Sequence, residues 1–128
     1  MKVYTIVPLL AVNDAKLARE EREESERRRK EEEQRKEELR KKYNEEIKRT
    51  LALENQAEDF AMACKIRALI DEVESKDNND SETEKWILWA KAKADWYDPT
   101  VAAKDEFFGK RDHSENPEHK RPKERYYW

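Results

Sequence analysis

Charge dominates this 128-residue chain: 46% of it is Asp, Glu, Lys or Arg, and only 21 residues are Leu, Ile, Val or Phe. That is the composition of a chain with too little apolar surface to fold, yet the formal net charge is only -3, so self-repulsion does not hold it open. One cysteine, Cys64, excludes an internal disulfide, one glycine excludes a Gly-rich phosphate loop, and no apolar run is long enough to span a membrane.

The first segment, residues 1–13, mixes β-branched and aromatic residues (Val3, Tyr4, Thr5, Ile6, Val7) ahead of Pro8. It reads either as a short strand with no visible partner or as the start of a helix with Pro8 in first position. Leu9, Leu10 and Leu17 would then dock on something, since an exposed apolar segment usually marks an interface. It is short for a signal peptide and no small-residue cleavage site follows, so the expected location is cytoplasmic. It also reads as the cut end of a longer ancestral chain.

Residues 14–50 form the charged segment. Between Arg19 and Glu38 all side chains except Ser25 and Gln34 are charged. Glu stands four residues before Lys or Arg at 23/27, 24/28, 26/30, 31/35, 32/36, 37/41, 38/42 and 45/49. Each such pair supports a helix by about 0.2–0.5 kcal/mol, and Glu, Lys, Arg and Gln are good helix formers. The pattern predicts a solvated helix over about 14–50, a spacer of about 55 Å at 1.5 Å per residue. A dry coiled-coil seam is excluded from 19–38 for want of apolar a and d residues. Apolar spacing returns at Leu39, Tyr43, Ile47 and Leu51, so 39–53 is where a homo-oligomer or coiled-coil contact would form. Glu is interleaved throughout and the segment nets only +1 (14 basic against 13 acidic), which argues against a rod that binds nucleic acid directly.

Residues 51–109 read as a small helical head. A break is expected near Gln56–Asp59, with Asp59 as N-cap of a helix over 60–76. In that helix Met62, Ile66, Leu69, Ile70 and Val73 share one face, widened by Phe60, Ala63 and Cys64; Cys64 is expected buried. Lys76–Asp80 is a polar loop, and Ser81 and Glu84 spell a capping box for a second helix over 82–98. Its apolar face carries Trp86, Trp89, Ala90 and Tyr97, and Asp98-Pro99 ends it. The two helices form a hairpin in which Trp86, Trp89, Trp96 and Tyr97 either make the core or anchor a partner, with one Trp left partly exposed. Val101, Phe107 and Phe108 suggest a short helix folding back before Gly109. Residues 110–128 read as a flexible tail ending in Tyr126, Tyr127 and Trp128, three aromatics that could dock in a partner's pocket. The fold class is therefore all-α.

The chemistry of catalysis is missing. No Cys/His cluster suits zinc, His113 and His119 lack carboxylate partners, and nothing aligns a nucleophile with a base. The chain reads as a non-enzyme without cofactor or metal. ACKIRALIDEVE (63–74) followed by WILWAKAKADWYDPTV (86–101), behind a Glu/Arg-rich helix, resembles the C-terminal region of a group of uncharacterised bacterial proteins over roughly residues 14–112. The Trp-Tyr-Asp-Pro element at 96–99 is its most specific feature. The DNA-binding-like N-terminal part of that group has no counterpart here, and the group implies no activity. Separately, EEIKRTLALENQAEDFAMACKIRALIDEVE (45–74), with its Asp59-Phe60 turn, is similar to the UVR helical hairpin of excision-repair proteins, which implies protein–protein contact. The reading is a helical protein-interaction module: charged helix as spacer, Trp-rich head as docking unit, another protein as partner. The rival reading is a small mobile-element or phage-encoded inhibitor of a nucleic-acid enzyme.

Overall fold

The computed structural model describes residues 6–76 and 80–128, with side chains from Val12 onward. It contains two helices, α1 (Ile6–Ser75) and α2 (Ser81–Tyr97), and no strand among the described residues, in keeping with the all-α class and the helical hairpin expected. Of the strand option at residues 3–7, Ile6 and Val7 are helical; residues 3–5, the side chains of Leu9 and Leu10, and residues 77–79 of the polar loop lie outside the described residues. Pro8 falls in the first turn of α1 as described, a position where proline is tolerated. Among the described residues no helix is long and apolar enough to cross a membrane.

The chain divides into two compact units, Met1–Glu45 and Glu46–Trp128. In the first, every described side chain is exposed. Two of the eight Glu-before-Arg/Lys pairs close to ion-pair distance, Glu24–Arg28 at 3.5 Å and Glu32–Lys36 at 4.0 Å. Other cations reach back three residues instead, as Arg40 does to Glu37 at 2.8 Å.

The second unit is built on residues 46–75 of α1, α2 and the chain after it. The expected break at Gln56–Asp59 is absent: α1 continues through it. Gln56, Ala57 and Glu58 favour helix, and the Asp59 carboxylate is engaged by distant cations, so it does not compete for its own backbone N–H groups as a cap would. The turn that the UVR likeness places at Asp59-Phe60 is accordingly helix.

The cap of α2 also differs from the expected box. Asp80 is the N-cap, its Oδ1 accepting from the Thr83 N–H at 2.7 Å, so Ser81 is the first helical residue. Ion pairs fix the hairpin as antiparallel, because Arg67 meets Asp95 and Asp98 whereas Glu74 meets Lys91 at 2.9 Å. The buried apolar set is small: Ala63 and Ile70 from α1, Ala90, Ala94 and Trp96 from α2. Alanines on both faces let the helices approach closely, leaving Ile70 and Trp96 as the large buried side chains. Several residues expected in the core are not. Phe60, Leu69 and Trp89 are exposed, Ile66, Val73, Trp86 and Tyr97 are half-buried, and Cys64 is exposed.

No helix forms between Thr100 and Gly109. Asp98 Oδ1 accepts from both the N–H and the hydroxyl of Thr100, at 2.8 and 2.7 Å, and Ala102 takes a positive φ of 51°, which ends helical propagation. Asp105 and Gly109 then exchange backbone hydrogen bonds of 3.0 Å each way, with Gly109 at φ 69°, a conformation that favours glycine.

Candidate functional site

Three carboxylates organise the second unit: Asp59, expected as a helix N-cap, Asp98, expected to end a helix, and Asp105, for which the sequence pattern suggests no role. Asp59 stands at mid-helix in α1 and is 1% exposed. The Arg111 guanidinium grips it in a fork, Nε and one terminal nitrogen each donating at 2.9 Å. His113 Nδ1 lies 3.0 Å and Lys120 Nζ 2.9 Å from the same carboxylate. Burial alone would push this carboxyl up; hydrogen bonds from Arg111, Lys120 and His113 outweigh it and hold the group below the usual carboxylate range. Asn55 secures the same crossing by donating to the Ser114 carbonyl at 2.7 Å. The stretch from Lys110 to Lys120, expected as part of a flexible tail, is thus bound back onto α1.

Asp98 is likewise buried. Arg67 donates to it at 2.6 Å and to Asp95 at 3.0 Å. Desolvation raises the Asp98 carboxyl, but Thr100 and Arg67 overcome it and the pKa is lowered. The third carboxylate, Asp105, pairs with Lys93 and accepts the N–H groups of Phe107 and Phe108 at 2.8 and 2.9 Å. Its pKa too is lowered despite burial.

These contacts give the Trp-Tyr-Asp-Pro element a structural meaning. Trp96 is 4% exposed and donates its indole N–H to the Gly109 carbonyl at 2.9 Å. Tyr97 meets it edge-on at 4.9 Å between centroids. The Arg111 guanidinium sits 4.9 Å from the Trp96 ring and 4.7 Å from the Tyr97 ring, an arrangement that suits a partly desolvated cation. Asp98 closes the clamp with Arg67. Of the aromatics proposed as partner-binding, Trp96 and Tyr97 are thus engaged in holding the unit together.

The remaining aromatics divide between two surfaces. Trp86, half-buried, and Trp89, 57% exposed, line an almost wholly apolar groove of about 300 Å³ between α1 and α2, with Ile66, Leu69 and Phe108 on its walls. Tyr126, Tyr127 and Trp128 lie apart from that groove and are almost fully exposed, at 83%, 89% and 102%. Trp128 lines a larger open cleft of about 970 Å³ bordered by residues 110–128, which shares Trp89 and Phe108 with the groove. Among the described residues no group of three or more His, Cys, Asp and Glu is placed to hold a metal ion.

No known protein family, characterised protein or solved structure matches this chain.

The sequence did carry a sign of the Asp59 cluster. Asp59 falls on the same helical face as Ala63, Ile66, Ile70 and Val73, a lone carboxylate in an apolar stripe. A charge so placed needs a buried partner. The cation that supplies it, Arg111, is set in a stretch whose local composition gives no such hint.

Proposed function

We propose that this chain is a non-enzymatic protein-interaction module, acting in the cytoplasm, whose docking surface is the apolar groove between α1 and α2. The observation that carries this reading is the exposure of Leu69 and Trp89, 54% and 57%, on a groove whose lining is aliphatic and aromatic apart from Lys93. Large apolar residues left open around a concave surface characterise interaction sites rather than monomer surfaces. An open groove between two helices suits the apolar face of a partner's amphipathic helix, whose side chains at i, i+3/i+4 and i+7 would fill it. The buried carboxylates fit the same reading: each is engaged by cations, which leaves little scope for general acid or base work. The charged segment serves as a solvated spacer, its ion pairs among the described residues joining near neighbours on the same helix.

The test is capture from lysate of the native host with nuclease present, comparing the natural chain with Leu69→Glu. The expected result is one stoichiometric protein partner retained by the natural chain and lost with Leu69→Glu, while both chains melt alike. Equal capture by both would sink the groove as the docking surface.

A further inference from the structure

The larger cleft carries a second surface with a different chemistry. Its border includes seven Lys or Arg side chains against three carboxylates, Asp112, Glu115 and Glu124. Three of the cations are committed inside the protein: Lys93 to Asp105, and Arg111 and Lys120 to Asp59. The outer wall is otherwise. From Arg121 to Trp128 it offers Arg121, Lys123 and Arg125 against Glu124 alone. Among the described residues none of these three cations has a carboxylate within ion-pair distance. Flat aromatic faces stand beside them, with Trp128 fully exposed and its ring 5.5 Å from the Arg125 guanidinium. Trp89 and Phe108, at least half-exposed, line the same cleft.

We propose that this cleft binds single-stranded nucleic acid, with Arg121, Lys123 and Arg125 pairing successive phosphates and Trp128 stacking on a base. Interleaved cations and open aromatic rings are what a single strand requires, since its unpaired bases present π-faces and its backbone presents regular charge. An acidic peptide would use the cations but leave the exposed indole faces idle, so the aromatic half of the cleft favours the nucleic acid. Duplex is a poorer fit, because its bases are already stacked on one another. This surface is distinct from the charged face of α1, where interleaved Glu defeats backbone tracking.

The experiment is fluorescence anisotropy of a labelled oligothymidylate of about 12 nucleotides, a length within the range such sites occupy, titrated with the full chain at several salt concentrations. The expected result is binding whose affinity falls with salt at a log–log slope of about -2, from about -0.7 per phosphate for three cations. Trp128→Ala should weaken binding about fivefold or more with the slope unchanged. The triple replacement of Arg121, Lys123 and Arg125 by Ala should remove the slope and most of the affinity. These residues are exposed, so the unchanged tryptophan melt of each variant confirms that the unit still folds. No binding at about 50 mM salt, or a triple variant that binds as well as the natural chain, overturns the proposal. So does displacement of the oligonucleotide by polyglutamate of matched charge, which would reassign the cleft to an acidic peptide.

Discussion

The charged face of α1 and the cluster around Asp59 draw on the same few residue types and treat them in opposite ways. Between Arg19 and Glu38 every side chain is exposed, and the ion pairs join neighbours three or four positions apart with more than half of each side chain in water. Such pairs are screened, interchangeable and individually small. At Asp59 a single carboxylate, 1% exposed, collects Arg111, His113 and Lys120 from 52 to 61 residues away. The first arrangement keeps a helix in solution without specifying any tertiary contact. The second specifies one, because a buried charge with no partner is costly and only one part of the chain supplies the partners. Redundancy and commitment are thus separated along one helix.

The largest break in this contrast should come from Asp59→Ala. Removing one member of a buried pair strands the others, and the expected loss is about 3–5 kcal/mol, seen as an early tryptophan-fluorescence melt. A chain carrying Asp59→Leu together with Arg111→Met should recover part of that loss. Equal destabilisation by the single and double changes would mean that the pair is not what holds residues 110–120. Acid should act on the same cluster. Asp59, Asp98 and Asp105 all have folded pKa values below their ordinary ones. The unfolded chain therefore binds more protons on falling pH, so their stabilisation is complete above about pH 5 and is lost as the pH drops below about 4. A melting temperature flat from neutrality down to pH 2 would contradict this.

Next in size is Ile70→Ala, expected to cost about 2–5 kcal/mol because the side chain is 2% exposed between the helices. Trp89→Ala, on the exposed rim, should cost about 1 kcal/mol or less. If the two melts fell equally, the division between core and groove would be wrong. Asp80→Ala removes the cap of α2 and should lower the melt by only a few degrees, since one backbone N–H loses its acceptor. The smallest effect should come from Glu24→Gln. Pairs of its kind contribute about 0.2–0.5 kcal/mol, and the resulting slight loss of helicity should disappear at high salt. A change in the tryptophan melt would show that the charged face reports on the second unit after all.

Much of the helical pattern could be read in the residues, and the reasons for failure are specific. The charged stretch announced a helix because its pairs and propensities act locally, within one turn. The hairpin followed from two apolar faces separated by a polar loop and closed by Asp98-Pro99. Asp59 misled because Asp is a common N-cap, and only a guanidinium 52 residues away makes it acceptable inside a helix. Ser81 misled for a related reason: the preceding Asp80 was equally able to cap, and local spacing does not choose between them. Phe107 and Phe108 suggested a helix, yet their N–H groups turn to Asp105, whose own position depends on Lys93 in α2. As for the surfaces, the richness in tryptophan was plain, but which rings would be buried was not. The periodicity put Trp86 and Trp89 inward, while Trp96, seven residues after Trp89 and on the same side of α2, became the buried one through its bond to Gly109.

The uninterrupted course of α1 through Asp59 has a consequence for the order of events during synthesis. The carboxylate emerges from the ribosome long before Arg111, His113 and Lys120 do. Until then it has only water to satisfy it, although α1 can already pair with α2 through Arg67. The closing step spans more than fifty residues, a loop whose entropy must be lost before any of its contacts form. Residues 110–120 therefore supply the last buried contacts of this unit, and its completion waits on them. A chain stopped at Gly109 would keep both helices and lose the step that locks them.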